Sequence, residues 1–384
     1  MRISIVCSFF LPVPPVRGGA MEKIWFRLGR EFAARGHAVT LFSRTWPGFP
    51  DREVIDGMQI VRVPGFDHTR RTWRNLALDF LWGLRVARRL PPGDIVACNT
   101  VSLPAHLFLT RPSAGRVVVV LSRMSKGHAH FYGRIDRLIA TSEAVKAKAL
   151  AENGRLRDRT TVLPNPIDWQ LHHACVRKAG PSAPRTIGYC GRLHPEKGVE
   201  ILVQAAAELA RRPGLPPWRL RLIGPQRVSE GGGGEQHVEG LRRLAAQAGA
   251  DISIEPPIYD AVKLAEVYGT LDVFCYPSLA EKGEGLSVAP IEAMAADAVP
   301  VVSALDCYHD VIRDGINGLV FDHRAPDRAL RLADCLARLL SDPPARERMA
   351  IQAREDARRF DYGVVAEELL ADFAGLAAGR GGAR

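Results

Sequence analysis

The sequence predicts an α/β protein built of two doubly wound, Rossmann-like domains facing across a cleft. Three observations lead there. Apolar strand-like runs alternate with helical periods, the alternation stops at a polar proline-containing stretch and then restarts, and 384 residues suffice for two domains of about 100–200 residues each.

The first half reads as ISIVCSF, a helix from Ala20 to Arg35, AVTLFS, IVRVPG, a helix around RNLALDFLWGLRVARRL, DIVACN, VVVVLS and LIATS. Runs this apolar, separated by helices, belong to a parallel sheet covered on both faces. After VLPNPID the stretch KAGPSAPR has turn chemistry and reads as the linker. The same order then resumes with TIGYCG, a helix from Val199 to Arg212, LRLIG, DISIEP, DVFCYPS, VPVVSA and GLVFD. The expected organisation is residues 1–180, residues 181–361, and residues 362–384, in which Tyr362 to Ala378 reads as a final helix whose apolar face must be buried. The run EGGGGE, Gly231 to Gly234 between two carboxylates, reads as a mobile surface loop, and the closing RGGAR as frayed.

Composition narrows the functional classes. The seven cysteines form no C-x-x-C pair, and Cys7, Cys98, Cys190 and Cys275 lie in or beside strand-like runs, so buried thiols in a reducing cytoplasm are expected. Prolines interrupt the apolar start MRISIVCSFFLPVPP, which reads as a first strand and not as a signal peptide. No apolar run reaches the length of a spanning helix, since Asp79 breaks LALDFLWGL. The formal charge of +10 is spread along the chain without a helix-turn-helix, zinc finger or aromatic platform, which sets nucleic acid aside as a partner. An anionic membrane surface is the better match: RRTWRNLALDFLWGLRVARRL combines Arg70, Arg71, Arg74, Arg88 and Arg89 with Trp73 and Trp82. A core helix with charged ends is the alternative for that segment.

Two stretches carry the chemistry. GRLHPEKG follows the first strand of the second half and puts Arg192 and Lys197 on a strand-to-helix loop, where cations meet phosphates. A diphosphate leaving a sugar needs a metal or fixed cations, and the sequence has no D-x-D pair, so no metal is expected. In LAEKGEGLSVAPIEAMAADAVPVV, Glu284 and Glu292 are eight positions apart. On one helix they would diverge by about 80°, so a shared ligand needs Glu284 on the loop and Glu292 in the helix. Gly285 permits the turn, and amides near Leu286 and Ser287 are expected at the helix start.

Together with the opening GGAMEKIWFRLGREFAARGHAVTLF, the boundary VLPNPID and DGINGLVFD, these motifs make nearly the whole chain resemble glycosyltransferase family 4. That resemblance implies the GT-B architecture, with the C-terminal helix of residues 362–384 packing back toward the N-terminal domain, and sugar transfer from a nucleotide-sugar donor with retained anomeric configuration. By it, Arg192 and Lys197 neutralise the donor diphosphate, Glu284 contacts the transferred sugar, and Glu292 accepts from the ribose hydroxyls. Gly18 and Gly19 let the first-domain loop come close to the phosphates or the sugar, and the base sits near Ile258. No cofactor is implied; a UDP-sugar is favoured over a GDP-sugar as donor substrate. The acceptor is a saccharide or a lipid-linked acceptor, in bacterial polysaccharide or lipopolysaccharide assembly, with the protein cytoplasmic or peripheral on the inner membrane face.

The chain also departs from the family. Where members commonly carry a histidine after the strand VVVVLS it has Leu121, Ser122 and Arg123, and where ACNT often holds one it has Ala97 and Asn99. His128 and His130, in SRMSKGHAHFYG, are the candidates to replace that group or bind acceptor. Ser287 replaces a usual glycine, and Ala296-Asp297-Ala298 a usual Ala-Cys-Gly. A dehydrogenase is disfavoured because SFFLPVPPVRGG lacks G-x-G-x-x-G spacing. A sugar-nucleotide epimerase or a catalytically silent nucleotide-sugar-binding protein of the same fold are the alternatives.

Overall fold

The computed structural model describes the chain apart from Arg17, Gly18, His68, Arg70, Ala179, Pro181, Ser182, residues 380–384 and the side chain of Thr72. Gly18 and Arg70, singled out above, therefore lie outside the described residues, as do part of the linker and the RGGAR tail. Packing divides the chain into two compact units, Met1–Pro166 with Tyr362–Arg384, and Ile167–Asp361.

The first unit contains β1 (Arg2–Val6), α1 (Ala20–Ala34), β2 (Ala38–Arg44), β3 (Arg52–Ile55), β4 (Met58–Val63), α2 (Thr72–Ala87), β5 (Ile95–Cys98), α3 (Leu103–Thr110), β6 (Arg116–Leu121), β7 (Arg137–Ala140), α4 (Glu143–Glu152) and β8 (Thr160–Val162). Its sheet order is β3-β4-β2-β1-β5-β6-β7-β8, so the winding reverses between β1 and β5. Alternation along β1 feeds two cores: Ile3, Ile5 and Cys7 join Trp25, Leu28 and Phe32 of α1, while Val6 joins Trp82 of α2 and Leu103 of α3. The antiparallel pair β3–β4 was not anticipated. Its turn uses Asp56 and Gly57 at φ 48° and 80°, the positive-φ pair of a two-residue hairpin, so the Asp-Gly dipeptide was an available signal.

The second unit follows with α5 (Trp169–Ala174), β9 (Arg185–Cys190), α6 (Val199–Ala210), β10 (Trp218–Ile223), α7 (Glu235–Gln247), β11 (Ile252–Glu255), α8 (Ala261–Gly269), β12 (Val273–Tyr276), α9 (Ala289–Ala295), β13 (Val299–Ser303), β14 (Leu319–Phe321), α10 (Arg328–Ser341) and α11 (Pro343–Ala357). Its parallel sheet has the order β11-β10-β9-β12-β13-β14, with the reversal between β9 and β12.

The chain's last helix, α12 (Tyr362–Ala378), belongs to the first unit. Val365, Leu369 and Phe373 are buried against α1, with the Phe373 and Phe32 rings 6.1 Å apart, and each such burial contributes about 1.5–3 kcal/mol. Asp372 pairs with Arg137 at 2.7 Å, and the Leu376 carbonyl accepts from Arg116 Nε at 3.2 Å.

Two expectations change here. The units part after Pro166, not at residue 180, because the intervening segment packs on the second unit. The His172 and Tyr268 rings meet at 5.3 Å, the Arg177 amide donates to the Gly269 carbonyl at 3.0 Å, and the Ile167 amide to that of Phe360 at 2.8 Å. KAGPSAPR falls within the second unit and not between the two, since local turn chemistry does not report which core a flanking helix covers. The glycine run is also not a loose loop. The amides of Gly231, Gly232, Gly233 and Gly234 donate to the carbonyls of Val228, Arg227, Leu193 and Gln226 at 2.7–3.0 Å, and a Cβ on Gly232 would lie 2.4 Å from the Gln226 carbonyl.

All seven cysteines are free, and burial pushes the Cys98 and Cys190 thiols up to about 12. Among the described residues no helix is long and apolar enough to cross a membrane, and no group of three His, Cys, Asp or Glu is placed to hold a metal ion.

Candidate functional site

The winding of the second sheet reverses between β9 and β12, and in such sheets ligands usually bind beyond the carboxyl ends of the strands at that point. From β9 the chain enters residues 191–198, which end in the tight turn Pro195–Lys197. Gly198 closes it at φ 65°, and a Cβ there would fall 2.0 Å from the Pro277 carbonyl, so only glycine lets this loop lie directly on the end of β12. That approach buries Lys197, at 7% exposure, beside Tyr276 and Glu284. Lys197 Nζ donates to Glu284 Oε2 at 2.6 Å, Ser278 Oγ donates to the same oxygen at 2.9 Å, and Nζ lies 5.4 Å from the Tyr276 ring centre. Burial opposes the ammonium's charge, but Tyr276 and Glu284 outweigh it and hold the Lys197 pKa above its ordinary value.

Arg192 is held differently. One guanidinium nitrogen donates to the Gly231 carbonyl at 2.9 Å, another to Glu196, and the Arg192 carbonyl accepts from the Tyr189 hydroxyl at 2.8 Å. The glycine turn thus braces a cation. Burial raises the Glu196 carboxyl, yet the Arg192 guanidinium overcomes this and leaves its pKa below the usual carboxylate value.

Glu284 sits on the loop and Glu292 within α9, both 8% exposed. The Gly283 and Glu284 amides both donate to the Ala280 carbonyl, at 3.0 and 2.9 Å, which makes 280–284 a defined turn. Glu292 is hydrogen-bonded by the Tyr268 hydroxyl, and His172 Nε2 stands 3.7 Å from its Oε1. Helix α9 begins at Ala289, so Leu286 and Ser287 precede it instead of forming its first turn. The Ala-Pro at its start favours initiation there. Gly285 and Leu286 are buried, and Ser287 is hydrogen-bonded to Tyr276. Ile258 is half-buried in the segment between β11 and α8.

In the first unit, Gly19 adopts φ 97°, and a Cβ there would be 2.4 Å from Glu22 Oε2. The space its missing side chain leaves is taken by Glu22, which is 3% exposed, accepts from Ser8 Oγ and has its pKa raised, chiefly by burial. His128 and His130 open the short turn His128–Tyr132. Glu152 of α4 organises the loop before it, accepting from Ser125 Oγ at 2.5 Å and the Gly127 amide at 3.0 Å. His128 is half-buried with its edge toward Tyr132, and burial lowers its pKa; His130 is exposed.

The family model described as Glycosyltransferase Family 4 matches residues 18–171, and that described as Glycosyl transferases group 1 matches residues 177–356. The chain belongs to glycosyltransferase family 4. It is similar to the phosphatidyl-myo-inositol mannosyltransferase of Mycobacterium tuberculosis, at 26% identity over 96% of each chain. It is also similar to the D-inositol 3-phosphate glycosyltransferase of Nocardia farcinica, at 30% identity over 64% of this chain and 54% of that one. Among solved structures, sucrose-phosphate synthase from Thermosynechococcus elongatus shares the fold with a TM-score of 0.76 at 19% identity, covering 99% and 100% of the two chains. Anabaena HepE in complex with UDP-glucose does so with a TM-score of 0.70 at 18% identity, covering 98% and 100%. The fold is GT-B, and the enzyme is a glycosyltransferase of the hexosyltransferase type.

In this transferase, Lys197 and Glu284 touch, while Arg192 lies on the loop that follows β9 and Glu292 lies within α9. Sequence reasoning did not find Ser278, Tyr276, Tyr268 or His172. Ser278 and Tyr276 stood in the strand end YPS and were recoverable as neighbours of the loop; His172 lies 120 positions from Glu292 and has no local signal.

Proposed function

We propose that the transferase moves a hexose from a nucleotide-sugar, with UDP the favoured nucleotide, to a saccharide or lipid-linked acceptor, retaining the anomeric configuration and using no metal. The observation that carries this reading is the buried Lys197–Glu284 pair beside Arg192 at the winding reversal. A departing diphosphate gathers negative charge, and two cations fixed by the protein meet that charge without reorganising. Arg192 and Lys197 take the phosphates, Glu284 turns toward the sugar, Glu292 accepts from the ribose, and Ile258 with Gly285, Leu286 and Ser287 borders the nucleotide. Gly18 and Gly19 belong to the loop that approaches the donor, and His130, being exposed, is the better placed of the two histidines to meet acceptor. With retention the leaving phosphate itself takes the acceptor's proton, so the histidine usual in the family is dispensable.

The acceptor's lipid character draws support from the M. tuberculosis relative, whose name states a phosphatidyl-inositol substrate. The UDP preference draws it from the HepE complex. Polysaccharide or lipopolysaccharide assembly at the inner membrane face is the corresponding setting. The test is turnover of UDP-, GDP- and ADP-sugars with lipid-linked acceptors, run with EDTA, with the product's anomeric configuration read by NMR. Activity in EDTA with retention supports the mechanism; an inverted product, activity restored only by Mg²⁺, or donor binding without turnover opposes it.

A further inference from the structure

Glu281 lies three residues before Glu284, at the second position of the turn that presents it. Its carboxylate is gripped by two residues from the segment after β14. His323 Nε2 donates to Oε1 at 2.8 Å, and Arg324 adds a bidentate contact, Nε to Oε1 at 2.8 Å and a terminal nitrogen to Oε2 at 2.9 Å. Arg324 is itself fixed, donating to the Ala304 carbonyl at 2.9 Å, just beyond β13. An exposed Arg–Glu pair alone restrains little, but His323 is 3% exposed and brings the carboxylate to a rigid, buried partner. Its buried Nδ1 has no hydrogen-bond partner, so the ring's contact with Glu281 is made through Nε2. DGINGLVFD, part of the family resemblance, leads directly into these two residues. Asn317 locks its turn by accepting from the Arg313 amide at 2.7 Å and donating to the Val311 carbonyl at 2.9 Å.

We propose that Glu281, His323 and Arg324 are positioning residues: they tether the 280–284 turn to the end of β14, so that Glu284 is aimed at Lys197 and at the transferred sugar. The loop is then fixed at three points. Lys197 holds Glu284, the Leu279 amide donates to the Glu196 carbonyl at 2.8 Å, and His323 with Arg324 holds Glu281. The role in sugar transfer rests on the donor site proposed above; the tether itself does not.

Hydrogen exchange of the ligand-free protein, comparing Glu281→Ala and Glu281→Gln with the unsubstituted chain, reads the tether without any substrate. The Gly283 and Glu284 amides should exchange at least about tenfold faster in Glu281→Ala, with β12 and α9 unaffected, and Glu281→Gln should restore much of the protection because its amide oxygen still accepts from His323. Unchanged exchange, or equal acceleration throughout the second unit, overturns the tether. Turnover then tests the role: Glu281→Ala should lower kcat about tenfold while UDP affinity, by calorimetry, stays within about twofold, since the sugar and not the nucleotide meets Glu284. Unaltered kcat, or an equal loss of UDP affinity, overturns positioning. A wild-type chain inert toward every donor counts against the transfer mechanism alone, and the exchange result still decides the tether.

Discussion

Lys197 Nζ and Glu284 Oε2 lie 2.6 Å apart with both residues more than nine-tenths buried, so the cation assigned to the phosphates and the carboxylate assigned to the sugar form one unit before any donor arrives. Removing only the lysine leaves a buried carboxylate with Ser278 as its remaining side-chain donor, a loss of about 3–5 kcal/mol for pairs of this kind. Lys197→Ala should therefore lower the unfolding midpoint as well as cutting turnover about 10²–10³-fold. Lys197→Met with Glu284→Gln should recover most of the stability and none of the activity. Calorimetric unfolding and steady-state rates on the three proteins separate the two effects; full thermal stability in the single variant contradicts the argument.

Glu292 has other partners: the Tyr268 hydroxyl is hydrogen-bonded to it, and His172 Nε2 stands 3.7 Å from its Oε1. A charge-assisted hydrogen bond contributes about 1.5–3 kcal/mol, so Glu292→Gln should weaken UDP binding about 10–100-fold while kcat at saturating donor changes little. Calorimetry with UDP and a donor titration check this. An unaltered UDP affinity with a collapsed kcat would move Glu292 from the ribose to the reacting sugar.

What the sequence disclosed depends on the range of each signal. Helix α12 emerges with the limits expected from its apolar period, and the separation of Glu284 on a loop from Glu292 in a helix follows from eight residues and 100° per residue. Pairings between loops were not legible. His323 meets Glu281 across 42 positions and His172 approaches Glu292 across 120, because strand order, not local pattern, brings those loops together. The glycine run misled for a related reason: its composition suits a flexible chain, but here the lack of side chains lets four amides reach carbonyls and one carbonyl reach Arg192.

Glu22 gives a pH dependence of definite sign. Burial raises its folded pKa above the ordinary carboxylate value, so between those two values the folded state holds more protons than the unfolded state, and stability falls as pH rises through that window. Below it both states are protonated and the group contributes nothing to the slope. Glu22→Gln, which never ionises, should gain stability relative to wild type as pH is raised from about 4 toward neutrality, then level off. Urea unfolding of both proteins across that range measures it. A difference that is flat or shrinks with pH refutes the assignment.

The first unit carries an exposed face suited to an anionic bilayer. Trp73, Leu76 and Phe80 of α2, Phe108 and Leu109 of α3, and Phe131 are all exposed, and ring contact between Phe80 and His106 at 4.5 Å joins the two helices. Trp82, counted above with the membrane-facing residues, is instead fully buried, as a core helix requires of one side. Arg71, Arg74, Arg88, Arg89 and Arg134 are exposed as well, with Arg134 4.0 Å over the Phe108 ring. No acidic residue occurs from Ile95 to Ile135, and Asp79, within α2, is buried and accepts from the Ser102 amide at 2.8 Å. Apolar side chains give insertion and unopposed arginines give attraction, worth about 1 kcal/mol per basic residue near such a surface. Binding to phosphatidylglycerol vesicles should therefore exceed binding to phosphatidylcholine vesicles and weaken on raising salt. It should fall at least about tenfold when Arg71, Arg74, Arg88 and Arg89 are changed to Glu, and also when Phe108 and Leu109 are changed to Ser. Co-sedimentation of the full chain, with circular dichroism to confirm that the variants fold, measures each step. Binding that ignores both salt and charge reversal, or that does not distinguish the two lipids, refutes this surface as the membrane contact.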